Sequence, residues 1–290
     1  MAKVCLFDDN RLGLFEQGSV VDVTPALEVL PRVCWPFPSA DLLVEHLPQV
    51  VDAARKLLPT APRLSPCAVR LRSPVANPPK VIGAPVNYLH HQREAIADGG
   101  INFEKDVKTI AHYGLFLKSS TSVVGPSAGI EIRFPERRTD HELELVVVIG
   151  RGGRDIDANA ALDHVAGYAI GLDMTVRGPE DRSLRKSLDS FSVVGPWLVT
   201  PDEFRHPNNV GLVLQVNGAI RQSASTSDLI FDVEHLIEYA SAHYTLCPGD
   251  LIFTGTPEGV GPVKPGDVLH CSIEGIGAMD VRVHQPPAGT

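Results

Sequence analysis

The chain has 290 residues, 43% hydrophobic and 21% charged, which is the composition of an ordinary globular protein with room for one large and one small domain. Its formal net charge of -9 argues against a nucleic-acid-binding protein, because such proteins use basic surfaces to displace counterions from phosphates. The five cysteines are odd in number, widely spaced and without a C-x-x-C pair, which disfavours a disulfide framework or a zinc knuckle and favours a reducing compartment. Asp8 and Asp9 stand where a signal peptide would be apolar, and no apolar run is long enough to span a bilayer, so we expect a soluble cytoplasmic protein outside the membrane.

The first part of the chain reads as a small α/β unit. Three short apolar runs separated by turn residues predict an antiparallel meander over residues 3–7, 13–16 and 19–23. Apolar spacing predicts a helix over 40–58, which Pro48 is expected to kink. A proline-rich stretch then places a domain boundary near residue 75. We therefore predict a small N-terminal α/β domain over 1–75 and a larger domain over 76–290.

The larger part is rich in strand signals. Strands are predicted at 80–86, 130–134, 143–149, 165–172, 211–216, 251–254, 268–273 and 279–283. Asn217-Gly218 predicts a two-residue hairpin, and Pro-Gly-Asp predicts tight turns at 248–250 and 265–267. Helices are predicted at about 157–164 and 227–243, the second capped by Ser227. Helices and strands alternate too irregularly for a doubly wound sheet, so the sequence indicates a β-rich α+β fold with a mixed, mostly antiparallel core.

Three carboxylates point to a cation site. Side chains two apart on a strand share a face, so Glu142 and Glu144 point the same way as the apolar valines that follow them. Two such carboxylates require a raised pKa or a counter-cation, although a strand end emerging into solvent is the commoner meaning of this pattern. Asp173 ends the next long apolar run and can lie beside the pair. Three carboxylates with open positions left over are a common way to hold Mg²⁺ or Mn²⁺.

A histidine and a glutamate form a candidate base. His91 and Glu94 lie three residues apart in a segment that reads as the start of a helix, where they are neighbours. A carboxylate beside an imidazole orients the ring and raises its basicity, as a general base requires. Spacing alone is more typical of an exposed polar helix start.

Basic residues and a glycine-rich loop complete the candidate groups. Lys118 ends an apolar run, and four cations follow Asp173 closely: Arg177, Arg182, Arg185 and Lys186. They form either a solvated basic face or, beside a metal site, a binding surface for substrate carboxylates. The loop at 254–261 can cradle an anion with its amides and Thr256, but it lacks the lysine of a phosphate-binding P-loop. G-x-S-x-G at 125–129 matches a serine-nucleophile elbow, yet a strand and not a helix is predicted after the serine, which disfavours an esterase.

Taken in chain order, these segments resemble the fumarylacetoacetate hydrolase family over residues 80–284. The matching motifs are N-Y-x-x-H-x-x-E at 87–94, F-L-K at 116–118, E-x-E-L-x-V-V-I-G at 142–150, A-G-Y-A-I-G-L-D at 166–173, R-K-S-L-D-S-F at 185–191, G-P-W at 195–197, V-N-G at 216–218 and T-G-T-P-x-G-V-G at 254–261. Several motifs in one order are more specific than any single motif. Two departures from the family pattern concern the lid: Ala84-Pro85-Val86 precedes the first motif, and the stretch from Glu94 to Lys118 is longer than usual.

The resemblance implies a mixed β-sandwich roll, a homodimer and a Mg²⁺ cofactor, with Mn²⁺ or Ca²⁺ as substitutes. It implies that Glu142, Glu144 and Asp173 are the metal ligands. It also implies a water-activating pair on a mobile lid, with one catalytic lysine: His91, Glu94 and Lys186. The residues that the resemblance places around the substrate are Lys118, Arg177, Gln222 and Thr256.

The resemblance further implies hydrolysis of a C–C bond in a 2,4-diketo acid, such as an acylpyruvate or a fumarylacetoacetate- or fumarylpyruvate-like compound. The metal would stabilise the enolate that forms, while His91, held by Glu94, takes a proton from the attacking water. Decarboxylation of a 2-oxo dicarboxylate such as oxaloacetate, and isomerisation or hydration of a 2-hydroxy-dienoate, remain open because one metal site can host all three reactions. A metal-binding protein without turnover is disfavoured by the intact histidine–glutamate pair. Catabolism of aromatic compounds is the expected context.

Overall fold

The computed structural model of the protein describes residues 2–101 and 106–286. The strands are β1 Lys3–Phe7, β2 Arg11–Glu16, β3 Ser19–Asp22, β4 Arg63–Leu64, β5 Val81–Gly83, β6 Phe116–Lys118, β7 Val123–Val124, β8 Ile130–Glu131, β9 Thr139–His141, β10 Leu143–Ile149, β11 Val165–Asp173, β12 Thr175–Val176, β13 Ser192–Val199, β14 Gly211–Val216, β15 Ala219–Ser225, β16 Leu251–Phe253, β17 Gly261–Pro262, β18 Val268–Ile273 and β19 Gly277–His284. The α-helices are α1 Leu42–Glu45, α2 Leu47–Leu57, α3 Leu89–Ala97, α4 Ile110–Tyr113, α5 Arg182–Lys186 and α6 Val233–His243. The 3₁₀ turns are Thr24–Val29, Pro66–Ala68, Ser120–Ser122, Pro126–Ala128, Ala158–His164 and Thr226–Asp228. In this described part of the chain, no helix is both long and apolar enough to cross a membrane. Part of the predicted lid, residues 102–105, lies outside the described residues.

The largest sheet combines strands from the N-terminal part of the chain with strands of the larger predicted domain. It has 11 strands in the order β4-β3-β2-β1-β13-β11-β10-β16-β5-β6, with β7 beside β13. The predicted meander of β1 to β3 is confirmed, and β1 continues the sheet by pairing antiparallel with β13. Strands β10 and β11 are buried along almost their whole length, because apolar side chains cover both faces of the sheet. The division of the chain at residue 75 remains a prediction.

Two smaller sheets complete a β-rich α+β fold, as predicted. Five strands in the order β15-β14-β18-β19-β8 pack their apolar face on the large sheet through one shared core cluster. Three short strands in the order β12-β9-β17 lie next to the ends of β10 and β11. This third sheet holds the chain just before Glu142, in β9, and just after Asp173, in β12, so it fixes the positions of these two predicted metal ligands.

Some local predictions hold and two are wrong. The 217–218 hairpin is confirmed, with positive φ at both turn residues, 51° and 82°. Pro48 does not kink a long helix: the helix breaks at His46, and Pro48 lies in the first turn of α2, where its missing N–H costs nothing. Ser227 does not cap α6, because Asp232 accepts the His235 N–H at 2.9 Å. The segment before Asp232 is a separate 3₁₀ turn.

Replacing Asp41 with Ala should destabilise the fold by roughly 3 kcal/mol, because the change leaves buried backbone donors without a charged acceptor. The Asp41 carboxylate is buried and accepts the N–H groups of Val44, Ala76 and Asn77 at 3.1, 3.0 and 2.9 Å. It therefore ties the start of α1 to the chain beyond the predicted domain boundary. Urea unfolding measures the effect. The control is Asp52→Ala, at an exposed position of α2, which should change the stability by less than about 0.5 kcal/mol. Equal effects of the two substitutions would contradict this role of Asp41.

Candidate metal centre and active-site cavity

The three predicted carboxylates lie together where β10 begins and β11 ends. Because Leu143 pairs with Leu172, the chain brings Glu142 opposite Asp173, and the Asp173 N–H donates to the Glu142 carbonyl at 2.9 Å. One carboxylate oxygen from each of Glu142, Glu144 and Asp173 falls within 4.8 Å of the others. Their side chains are buried, with residue exposures of 4%, 2% and 1%. Burying three carboxylates this close requires compensating positive charge.

Three buried cations surround the cluster. The Lys186 ammonium donates to Glu142 Oε2 and, at 2.7 Å, to Asp173 Oδ2. The Lys118 ammonium donates to Asp173 Oδ1 and to the Phe191 carbonyl, the latter at 2.8 Å. Arg177 donates from Nη2 to Glu142 Oε1 at 3.0 Å. Glu142 and Asp173 thus have cationic partners on both of their oxygens.

Glu144 differs from the other two carboxylates. Within residues 2–101 and 106–286 it has no ion pair, and its Oε2 accepts only the Gly255 N–H, at 2.7 Å. Burial and then the neighbouring charge of Asp173 raise the pKa of Glu144 well above its ordinary value. Burial also raises the pKa of Glu142, but the charges of Lys186 and Arg177 outweigh it and hold that pKa below the usual range. Glu144 is therefore the carboxylate that lacks a counter-charge, as expected where a bound cation completes the cluster.

The cluster fits a hard divalent cation. Its donors are oxygens only, they converge within the distance that one ion can bridge, and no cysteine or histidine is among them. A soft or strictly tetrahedral site would instead use sulfur and nitrogen donors. Glu142, Glu144 and Asp173 are the residues that would hold the ion.

The predicted histidine–glutamate pair is formed. His91 Nδ1 lies 3.0 Å from Glu94 Oε2 on α3. The other oxygen of Glu94 accepts the Gly259 N–H at 2.9 Å, which binds α3 to the glycine-rich loop. Because the carboxylate accepts, the hydrogen belongs on Nδ1, and Nε2 is left as the basic atom of the ring.

A cavity of about 370 Å³ connects these groups. Its wall includes the three carboxylates together with His91, Lys186 and Thr256, and the segment 178–185 forms much of the remaining polar surface. Val86, from the unusual stretch before the first family motif, lines it with a φ of 51°. A β-branched residue adopts this conformation only where the surrounding structure holds it. The volume is in the range of small-molecule sites.

Two predicted substrate contacts are not part of the cavity wall. Lys118 is buried behind Asp173. Gln222 is fully buried and its amide is used by the protein: Nε2 donates to Thr256 Oγ1 at 2.8 Å, and Oε1 accepts the Leu143 N–H at 3.0 Å. Thr256 Oγ1 in turn donates to the Leu143 carbonyl at 3.0 Å. In this structure Gln222 fixes Thr256 and the backbone between the two glutamates, and does not face the cavity. Arg177, by contrast, lines the cavity.

A buried aspartate was missed by the sequence reasoning. Asp140 accepts Arg177 Nε at 2.8 Å and Arg138 Nε at 2.8 Å, and Arg138 also donates to Asp98 at the end of α3 at 3.0 Å. A row of alternating charges therefore runs from α3 to Glu142. The sequence does contain a pattern that indicates this residue: Asp140, Glu142 and Glu144 are spaced two apart, as side chains on one face of a strand are.

The serine elbow is excluded by the local structure. Ser127 lies in the 3₁₀ turn Pro126–Ala128, and strand β8 follows it, as predicted. Its Oγ accepts the Leu71 N–H at 2.9 Å. The nucleophile elbow requires a helix directly after the serine.

Comparisons with known proteins agree with these observations. The family model described as fumarylacetoacetate (FAA) hydrolase, C-terminal, matches residues 80–284. The chain is 50% identical over 283 residues to a maleylpyruvate hydrolase of Aquipseudomonas alcaligenes, covering 97% of this chain and 99% of that protein. It is 39% identical over 206 residues to a mitochondrial oxaloacetate decarboxylase of Dictyostelium discoideum, covering 68% and 89%. The crystal structure of a maleylpyruvate hydrolase from Sphingobium sp. SYK-6, in complex with manganese(II) and pyruvate, superposes with a TM-score of 0.83 at 36% identity, covering 98% and 100%.

Proposed function

The chain belongs to the fumarylacetoacetate hydrolase family, and from this premise we propose that it is a divalent-metal-dependent hydrolase that cleaves a C–C bond of maleylpyruvate or a closely similar 2,4-dioxo acid. One observation carries the proposal: a buried three-carboxylate cluster lines the same cavity as His91, whose ring Glu94 orients. The 50% identity to a maleylpyruvate hydrolase over nearly all of both chains supports the choice of substrate.

The metal is assigned to the three carboxylates. A divalent ion held by Glu142, Glu144 and Asp173 would supply electrophilic stabilisation for the negative charge that develops on a 2-oxo acid. Lys186 lies against two of these ligands, so its ammonium adds a second fixed positive charge at the same end of the cavity. Arg177 holds Glu142 through a hydrogen bond and, after Lys186, lowers the pKa of that carboxyl.

His91 supplies the base for water. With Nδ1 bound to Glu94, the Nε2 atom takes a proton from a water molecule as its oxygen attacks the carbonyl carbon of the acyl group. The C–C bond then breaks, its electron pair stays with the pyruvate fragment, and that carbon takes up the proton held on His91 Nε2, which restores the base. The products are pyruvate and the free acid. Glu94 keeps the ring orientation and stabilises the imidazolium that forms.

The rival reaction is decarboxylation of oxaloacetate, for which the Dictyostelium discoideum relative is named. This reaction needs no attacking water. The experiment compares the rates at which the purified chain consumes maleylpyruvate and oxaloacetate with Mg²⁺ and with Mn²⁺, with products identified by NMR. We expect cleavage of maleylpyruvate to be faster. Release of CO₂ from oxaloacetate, or its tautomerisation, with maleylpyruvate untouched would contradict the proposed reaction.

Mg²⁺ is the proposed ion because carboxylate oxygens alone form the ligand set and suit hard cations. The chain is proposed to form a homodimer in the cytoplasm, which the family resemblance supports. A role in the catabolism of aromatic compounds is supported by the same resemblance.

A further inference from the structure

Helix α5 presents three cations along one side. Arg182, Arg185 and Lys186 are spaced at i, i+3 and i+4, which places them on one face of the helix, and all three line the cavity. Asp181 caps the helix by accepting the Ser183 N–H at 2.7 Å, so this face is fixed relative to the backbone. Lys186 is used by the carboxylate cluster. Within the described residues, no hydrogen bond or ion pair links Arg182 or Arg185 to the three carboxylates.

Arg185 forms no ion pair within the described part of the chain. Its Nε donates to the Glu180 carbonyl at 2.7 Å, and its terminal Nη atoms make no hydrogen bond or ion pair with any residue in 2–101 or 106–286. The nearby Glu180 carboxylate is already taken by Arg137, in a two-pronged contact of 3.0 and 2.8 Å. Burial, and then the like charge of Arg177, lower the pKa of Arg185. A half-buried guanidinium whose terminal nitrogens have no ion pair among the described residues, and which lies near another cation, favours an anion.

Arg182 is placed differently. Its guanidinium lies over the Tyr113 ring, 4.0 Å from the centroid, so part of its charge is already compensated by the aromatic face. The two arginines are three residues apart on the same helix and in the same cavity, which makes Arg182 a matched comparison for Arg185.

We propose that Arg185 binds a second carboxylate, at the end of the substrate away from the metal centre, and so makes the enzyme selective for dioxo acids whose acyl part ends in a carboxylate. This inference rests on the proposed function for the position of the first carboxylate, at the metal-centre end of the cavity. The planar guanidinium offers two parallel N–H donors that match a carboxylate, which a lysine at the same position would not provide.

The test is binding rather than turnover. Calorimetry on the Mn²⁺-loaded protein compares 2-oxoadipate with 2-oxohexanoate, which share a six-carbon chain and differ in whether it ends in a carboxylate or a methyl group. The wild type should bind the dicarboxylate more tightly. Arg185→Gln should reduce this preference roughly 10- to 100-fold, the effect of losing a charge-assisted hydrogen-bonded pair. Arg185→Lys should keep part of it, because the charge remains without the planar geometry.

Arg182→Gln is the matched control and should retain the wild-type preference. Equal weakening of both ligands by Arg185→Gln, or a wild type without preference, would overturn the assignment. The outcome is separable from the proposed reaction. If the preference exists and depends on Arg185 while maleylpyruvate is not cleaved, the reaction is wrong and the carboxylate site stands.

Discussion

His91→Ala is expected to lower kcat for maleylpyruvate on the order of 10³-fold, the contribution typical of a positioned general base. The variant should still bind divalent metal with wild-type affinity, because His91 lies outside the carboxylate cluster. Steady-state kinetics and metal titration on the same preparation give both values. A low kcat with unchanged metal affinity would show that the base is lost while the metal site is intact.

His90→Ala is the matched control. It changes the same residue type at the adjacent position of α3, but His90 is exposed and His91 is buried in the cavity wall. The control should keep wild-type kcat. Full activity in His91→Ala, or equal losses in the two variants, would contradict the role assigned to His91.

Glu144→Gln should abolish metal-dependent activity. Loss of a residue that only hydrogen-bonds to a metal ligand weakens metal binding roughly 10- to 100-fold, and loss of a ligand itself should weaken it more. The carboxamide resembles the protonated form of this carboxyl, whose pKa burial and Asp173 raise in the metal-free chain. We therefore expect the metal-free variant to melt at or above the wild-type temperature. The variant should lose the stabilisation that metal gives the wild type, about 2.7 kcal/mol at a metal concentration of 100 times Kd.

Thermal unfolding with and without Mn²⁺ measures both expectations. Glu136→Gln, at an exposed position, makes the same chemical change and should retain the metal-induced rise in melting temperature. If Glu144→Gln keeps that rise, Glu144 is not a ligand. If it unfolds at a much lower temperature without metal, its carboxylate has a structural role instead.

The carboxylate cluster shows what a sequence pattern can predict. Two-residue spacing places Glu142 and Glu144 on one face of a strand regardless of the rest of the fold, so the pair follows from strand geometry. Asp173 joins them because an antiparallel neighbour returns to the same end, and the two apolar runs already indicated both strands. His91 and Glu94 are similarly local, being one helical turn apart.

Other features depend on contacts between distant segments, which local patterns do not encode. The pairing of β1 with β13 joins residues nearly two hundred positions apart. The family resemblance placed Gln222 at the substrate, but on strand β15 its amide lies behind Thr256. Within the described residues, the terminal nitrogens of Arg185 have no carboxylate partner because the Glu180 carboxylate pairs with Arg137, a contact between separate loops. The residue types limited which roles these side chains can have, and the tertiary contacts determined which role each side chain has.

The most direct test of the central claim is the stoichiometry of the reaction. Purified protein with Mg²⁺ is given maleylpyruvate, and pyruvate, maleate and remaining substrate are quantified by NMR over time, before and after excess EDTA. We expect pyruvate and maleate to appear in equal amounts as the substrate disappears, to stop on chelation and to resume when excess metal is restored. Substrate that isomerises without forming maleate, or cleavage that continues unchanged in EDTA, would contradict a metal-dependent C–C hydrolase.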